Sequence, residues 1–84
     1  MKVKIIFSTQ ELVFDNLSEL RKAVTTRQFF IGIKQVDVPE LPKSDIQLQI
    51  LDDDDNVIED KNIINVTQSI DYLAGITHLL LQYE

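Results

Sequence analysis

An 84-residue chain without cysteine has no disulfide staple, no thiolate metal site and no cysteine nucleophile. Its 14 acidic and 8 basic side chains give a net charge of −6, which sets aside nucleic acid and anionic membrane surfaces as main partners. At this length one small core is expected, read as a single domain over residues 1–84 and well supplied by a hydrophobic content of 44%.

Val3, Ile5 and Phe7 alternate with Lys2, Lys4 and Ile6, the pattern of a strand with an apolar face and a basic one. A polar turn, Ser8–Glu11, leads to Leu12 and Phe14, which form the second strand of a hairpin. Asp15 or Asn16 then caps a helix, with Glu19 three residues beyond Asn16. Leu17, Leu20, Ala23 and Val24 follow at spacings of three and four, so a helix is predicted near residues 17–30, with Gly32 as its end signal. Phe29–Val38 reads in two ways, as the last buried helical turn or as an extended segment; helix to about Phe30, then extended chain, is preferred. Pro39 and Pro42 mark a linker.

Ile46-Gln47-Leu48-Gln49-Ile50-Leu51 is the clearest strand, alternating at period two, and it runs straight into Asp52-Asp53-Asp54-Asp55. Four adjacent carboxylates repel one another and have poor strand propensity, so the strand stops there. Asn56–Glu59 reads as a short strand pairing back, and Asp60–Asn62 as a turn. Ile63, Ile64 and Val66 give a short extended piece. Thr67 or Ser69 caps a brief helix through Tyr72 and Leu73, ended by Gly75, and Thr77–Tyr83 is a strongly apolar, central last strand. No apolar run reaches the length of a membrane span, and Met1–Phe7 is too short and too alternating for a signal peptide, so a cytoplasmic or nuclear setting is expected.

Hairpin, helix, strand, short strand, short helix and strand together predict an α+β fold: a mixed four- to five-stranded sheet packed on one main helix, with a short second helix. That order resembles the ubiquitin-like β-grasp superfamily over nearly the whole chain. Within it, Leu48–Ile58 with its four aspartates, and Lys2 or Lys4 in the first strand, resemble the Phox-and-Bem interaction domains, which carry lysine in the first strand and an acidic motif that begins after a central strand and continues into a short helix. In that comparison the second acidic part falls on Asp71, at a longer gap than the family's pattern, and the glycine usual in the turn is absent. Leu17-Ser18-Glu19-Leu20 and His78-Leu79-Leu80-Leu81 are similar to CIDE-type domains, and Thr77–Leu81 to ubiquitin itself, although no Gly-Gly follows Glu84. All three resemblances imply protein binding and not catalysis.

The candidate partner-binding residues are therefore acidic (Asp52, Asp53, Asp54, Asp55, Glu59 and Asp60), basic (Lys2, Lys4 and Arg21), and a patch on the last strand, His78 and Leu80. A solvated loop that only prevents edge pairing is the competing reading of the aspartates. Started at Asp52, a calcium-loop register puts Val57 where glycine is needed and Ile63 where glutamate belongs. His78 is the only histidine and builds no zinc site or triad alone, and two glycines make no phosphate cradle. The sequence therefore predicts a non-catalytic protein-interaction domain without metal or cofactor. Its partner is a basic protein surface, and self-association is expected to be weak or absent. The alternative is a ubiquitin-like module recognised through the exposed face of its last strand, or fused as a regulatory part of a larger protein.

Overall fold

Alternation of apolar and polar residues governs almost the whole chain. In the computed structural model, which describes residues 1–84, there are seven β-strands and no helix. They are β1 (Lys2–Phe7), β2 (Gln10–Phe14), β3 (Leu17–Ala23), β4 (Gln28–Ile33), β5 (Ile46–Leu51), β6 (Val57–Asp71) and β7 (Ile76–Tyr83). All pairings are antiparallel, and the strands form one sheet in the order β2-β1-β5-β6-β7-β4-β3.

The expected α+β class is thus corrected to all-β. No main helix exists for a sheet to grasp, so the ubiquitin-like, β-grasp architecture does not apply. Residues 17–30 fall in β3, a turn, and the start of β4. The misleading signal has a local cause: β3 carries a bulge between Leu17 and Glu19, so Ser18 is an extra residue. Leu17 and Leu20, three apart, therefore lie opposite the inward-facing Ile33 and Ile31, and the spacing mimics a helical face. Downstream, Phe29, Ile31 and Ile33 alternate into the core as β-branched and aromatic strand residues do. The expected second helix is corrected too, because Thr67–Asp71 lies in β6 and Tyr72–Gly75 is a hairpin turn. So is the turn at Asp60–Asn62, which is mid-strand.

β6 is the element on which the fold turns. Its 15 residues would span about 46 Å if straight, at about 3.3 Å per residue, yet the longest dimension of the molecule is 31 Å. The strand bends where it changes partner. Ile63 pairs with both Ile46 of β5 and Tyr83 of β7, and Ile64 is then skipped before Asn65 meets Gln82. That bulge reverses the inward parity, so that Ile63 and Val66, three apart, are both buried. The sheet folds on itself there, bringing β2-β1-β5 with the first half of β6 against β7-β4-β3 with the second half. Near-equal extents of 31 × 30 × 28 Å fit this and exclude a flat single layer.

One core of 17 buried residues fills the fold, drawing Val3, Ile5 and Leu48 from one half and Phe29, Ile31 and Leu81 from the other. The connection after β4, residues 34–45, adds Val38 and Leu41. Gln68 of β6 clamps it, its Oε1 accepting from the Leu41 N–H at 2.9 Å and its Nε2 donating to the Pro39 carbonyl at 3.1 Å. The one buried polar side chain is Thr77, whose hydroxyl donates to the Gln35 carbonyl at 2.7 Å. In β4, Gly32 leaves room for the bulge of β3, since a Cβ there would run into Ser18 Oγ.

Candidate functional site

The four aspartates form the β5–β6 connection, Asp52–Asn56, between the paired residues Leu51 and Val57. Asp52 builds the turn. Its Oδ1 accepts the Asp54 and Asn56 N–H groups, each at 2.9 Å, and its Oδ2 accepts from Asn56 Nδ2 at 3.2 Å. Backbone bonds from Asp52 N to Asn56 O and from Asp55 N to Asp52 O close the loop. Asp55 sits at φ +64°, a left-handed conformation that aspartate tolerates better than most residues.

The consequence is a division of labour among like residues. Asp52 is partly covered and committed to the backbone, while Asp53, Asp54 and Asp55 project into solvent. Their own chain answers part of that charge: Lys2 Nζ reaches Asp55 Oδ1 at 2.7 Å and the Met1 amine reaches Asp53 Oδ1 at 3.0 Å. Asp54 has no ion-pair partner. Such exposed pairs are worth little and exchange readily for others. The Asp55 hydrogen bond raises the pKa of Lys2 above its ordinary value.

Hydrogen bonds from Asn56 first, then from Asp54, hold the Asp52 carboxyl below its ordinary pKa. A carboxylate depressed in the folded state stabilises it above its unfolded pKa, near pH 4, and that contribution is lost as pH falls through the lower folded value. The turn is therefore expected to loosen only in acid below about pH 4. Amide hydrogen exchange and NMR shifts of Asp54 and Asn56, followed from neutral pH downward, check this. Asp52→Ala should raise exchange at both amides already at pH 7, whereas Asp53→Ala should leave them protected.

The other acidic candidates lie elsewhere. Glu59 turns inward and pairs with Lys22 Nζ at 2.7 Å, the two side chains 30% and 31% exposed, and this bond raises the Lys22 pKa. Asp60 lies on the outer face of the sheet, accepting from Gln47 Nε2 at 2.7 Å and Gln49 Nε2 at 3.3 Å. Among the basic candidates, Lys2 belongs to the turn, whereas Lys4 faces Glu11 at 4.0 Å and lies in register with Gln49, beside Asp60. Arg21 stands apart, its guanidinium 4.0 Å over the Phe30 ring and 3.7 Å from Glu19.

His78 and Leu80 occupy the outer face of β7, His78 exposed and Leu80 half-buried. The register sets Leu80 between Thr67 and Phe30, with Arg21 beyond Phe30, and sets His78 between Ser69 and Gly32. No three His, Asp or Glu side chains are grouped to hold a metal ion, and no helix is long and apolar enough to cross a membrane.

Two features were absent from the sequence reading. One is a charged cluster over the aromatic end of the core, where Lys22 and Lys61 lie 5.6 Å and 5.1 Å from the Tyr83 ring centre and Phe29 packs on Tyr83 at 5.3 Å. The other is the β6–β7 turn, whose Tyr72 and Leu73 are 77% and 102% exposed. Asp71 followed by Gly75 between two β-rich runs is a turn signal that would have located it. Comparison with protein-family models, with curated proteins and with solved structures finds no match for this chain.

Proposed function

We propose that this chain is a non-catalytic protein–protein interaction domain whose acidic turn docks on a basic surface of another protein. One observation carries the reading: Asp52 spends its carboxylate on the turn's own N–H groups, which fixes the array of Asp53, Asp54 and Asp55 toward solvent. Pre-ordering lowers the entropy lost when a partner binds, and the net charge of −6 steers a basic partner toward the domain. Glu59 and Asp60 contribute to the field at longer range. Lys2 is displaced from Asp55 on docking. A cytoplasmic or nuclear setting belongs to the same proposal.

A second reading, recognition through His78 and Leu80, is favoured by the row Thr67–Leu80–Phe30–Arg21 across the outer face. Salt separates the two. Titrated with a short polylysine peptide, the domain should lose affinity steeply between about 50 and about 500 mM salt, because the screening length falls from about 14 Å to about 4 Å. Replacing Asp53, Asp54 and Asp55 by Asn should weaken binding at low salt by about tenfold or more. Neutralising the exposed Asp37, Glu40 and Asp45 instead, the same change in net charge, should cost far less. Equal losses in the two variants would reduce the turn to bulk charge, and salt-independent binding would favour the outer face.

A further inference from the structure

β3 ends the sheet, paired on one side with β4 and on the other with nothing. No backbone hydrogen bond outside the β4 ladder involves Leu17–Ala23, so the N–H and C=O groups on its far side have no partner strand. The bulge at Ser18 leaves Leu20–Ala23 as the regular stretch of that edge. Two cavities lie along it. One, of about 330 Å³, is lined by Leu17, Ser18, Glu19 and Leu20 in succession. Consecutive residues take in both faces of a strand, which places this cavity at the strand's edge. The other, of about 250 Å³, lies between Leu20, Phe29, Ile50 and Ile58. Leu20 and Met1 line both, so the two adjoin as one groove between β3 and the starts of β1 and β6. Ile58 is the residue that the β5–β6 register skips, a bulge that turns its half-exposed side chain to the groove.

We propose that this groove takes an extended segment of the basic partner, added to the free edge of β3, with an apolar side chain seated between Leu20, Ile50 and Ile58. An open strand edge selects an extended backbone, because only that pairs with its N–H and C=O groups in series. The apolar cavity selects the anchoring side chain, and charge selects the residues that flank it. In the first cavity the charged side chains are Asp15 and Glu19; in the second, Lys22 and Glu59 answer each other at 2.7 Å. Asp15 has no ion-pair partner, and Arg21 reaches Glu19 only at 3.7 Å, with its guanidinium over Phe30. The acidic turn adjoins the groove, since the amine of Met1 lies 3.0 Å from Asp53. A strand that alternates apolar residues with lysine or arginine meets all three demands. A second copy of this chain brings a net charge of −6 of its own and does not. The basic character of the partner rests on the acidic-turn reading, while the strand pairing and the apolar anchor rest on the groove.

Titration of the full chain with two short synthetic peptides of equal charge tests this, one alternating leucine with lysine, the other serine with lysine. The leucine peptide should bind about tenfold or more tighter, as the burial of one leucine side chain implies. It alone should slow hydrogen exchange at the β3 amides that face away from β4, and N-methylation of its backbone should abolish that protection. Ile58→Ser should bring the two peptides to nearly equal affinity without altering the thermal melt. Ile64→Ser, equally exposed in the same strand but outside the groove, should leave their ratio unchanged. Replacing Asp53, Asp54 and Asp55 by Asn should weaken both peptides and keep the ratio. Equal affinities for the two peptides, both still dependent on those aspartates, would overturn the groove and leave the acidic turn standing. Tighter leucine binding that protects no β3 amide, or that ignores Ile58→Ser, would overturn it as well. Binding indifferent to both salt and the aspartates would remove the acidic-turn reading and with it the basic partner. Dimers of the free chain that protect the same β3 amides would assign the edge to a second copy and overturn the proposal.

Discussion

Deleting Ile64 is expected to abolish cooperative folding, whereas Ile64→Ser should change stability by no more than about 0.5 kcal/mol. The side chain is half exposed, at 48%, and its backbone is the extra residue of the β6 bulge. Removing it does not disturb the inward pattern, because Val66 would then stand two positions after Ile63, the regular strand spacing. What is lost is the bend. A straight β6 cannot pair with β5 over its first half and β7 over its second while keeping both halves of the sheet on one core. Denaturant unfolding of the two variants distinguishes these outcomes. A sigmoidal transition in the deletion variant, with a midpoint near that of the wild type, would show that the sheet folds on itself for another reason.

The second large effect belongs to Phe29. It is 1% exposed at the meeting of the two halves, stacked at a tilt on Tyr83, with the Lys22 ammonium 5.7 Å from its ring centre. Phe29→Ala should cost about 3–5 kcal/mol through lost burial and the remaining cavity. Domains of this size have about 4–13 kcal/mol in total, so the variant should melt lower by about 15 °C or more, or not fold. Its neighbour is the control. Phe30 is half-buried on the outer face under Arg21, and Phe30→Ala should cost about 1–2 kcal/mol. Equal losses at the two positions would contradict the placement of the core.

How much of this was legible follows the regularity of each strand. In β1 and β7 the period of two is unbroken, in β5 it holds up to a register shift at Ile50–Leu51, and the inward residues Val3, Ile5, Ile46, Leu48, Leu79 and Leu81 are buried. The four aspartates stop β5 where charge repulsion says they should. Bulges defeat the reading elsewhere. Ser18 shifts the phase of β3 and produces a helical spacing, and Ile64 does the same in β6. The first half of β6 also hides its inward face, because Glu59 and Lys61 occupy positions opposite Ile50 and Leu48 where apolar residues would have marked it. Their charges are tolerated because Glu59 pairs with Lys22 and Lys61 lies over Tyr83, contacts that exist only after the sheet has folded. The acidic turn was visible as a run of like residues. That one of the four scaffolds the other three depends on backbone geometry, which composition does not carry.

The most direct test of the functional account is residue-level mapping of a basic ligand by NMR on the labelled domain. Amide shifts followed during polylysine titration should move at Asp53, Asp54 and Asp55 and at Lys2, as it leaves Asp55, and should revert as salt is raised. Asp52→Ala, which disorders the turn but removes only one charge of the four, should weaken this response as strongly as neutralising any two of its neighbours. Shifts centred on Phe30, His78 and Leu80, or a response to Asp52→Ala no greater than to Asp53→Ala, would contradict the claim that the ordered acidic turn is the binding site.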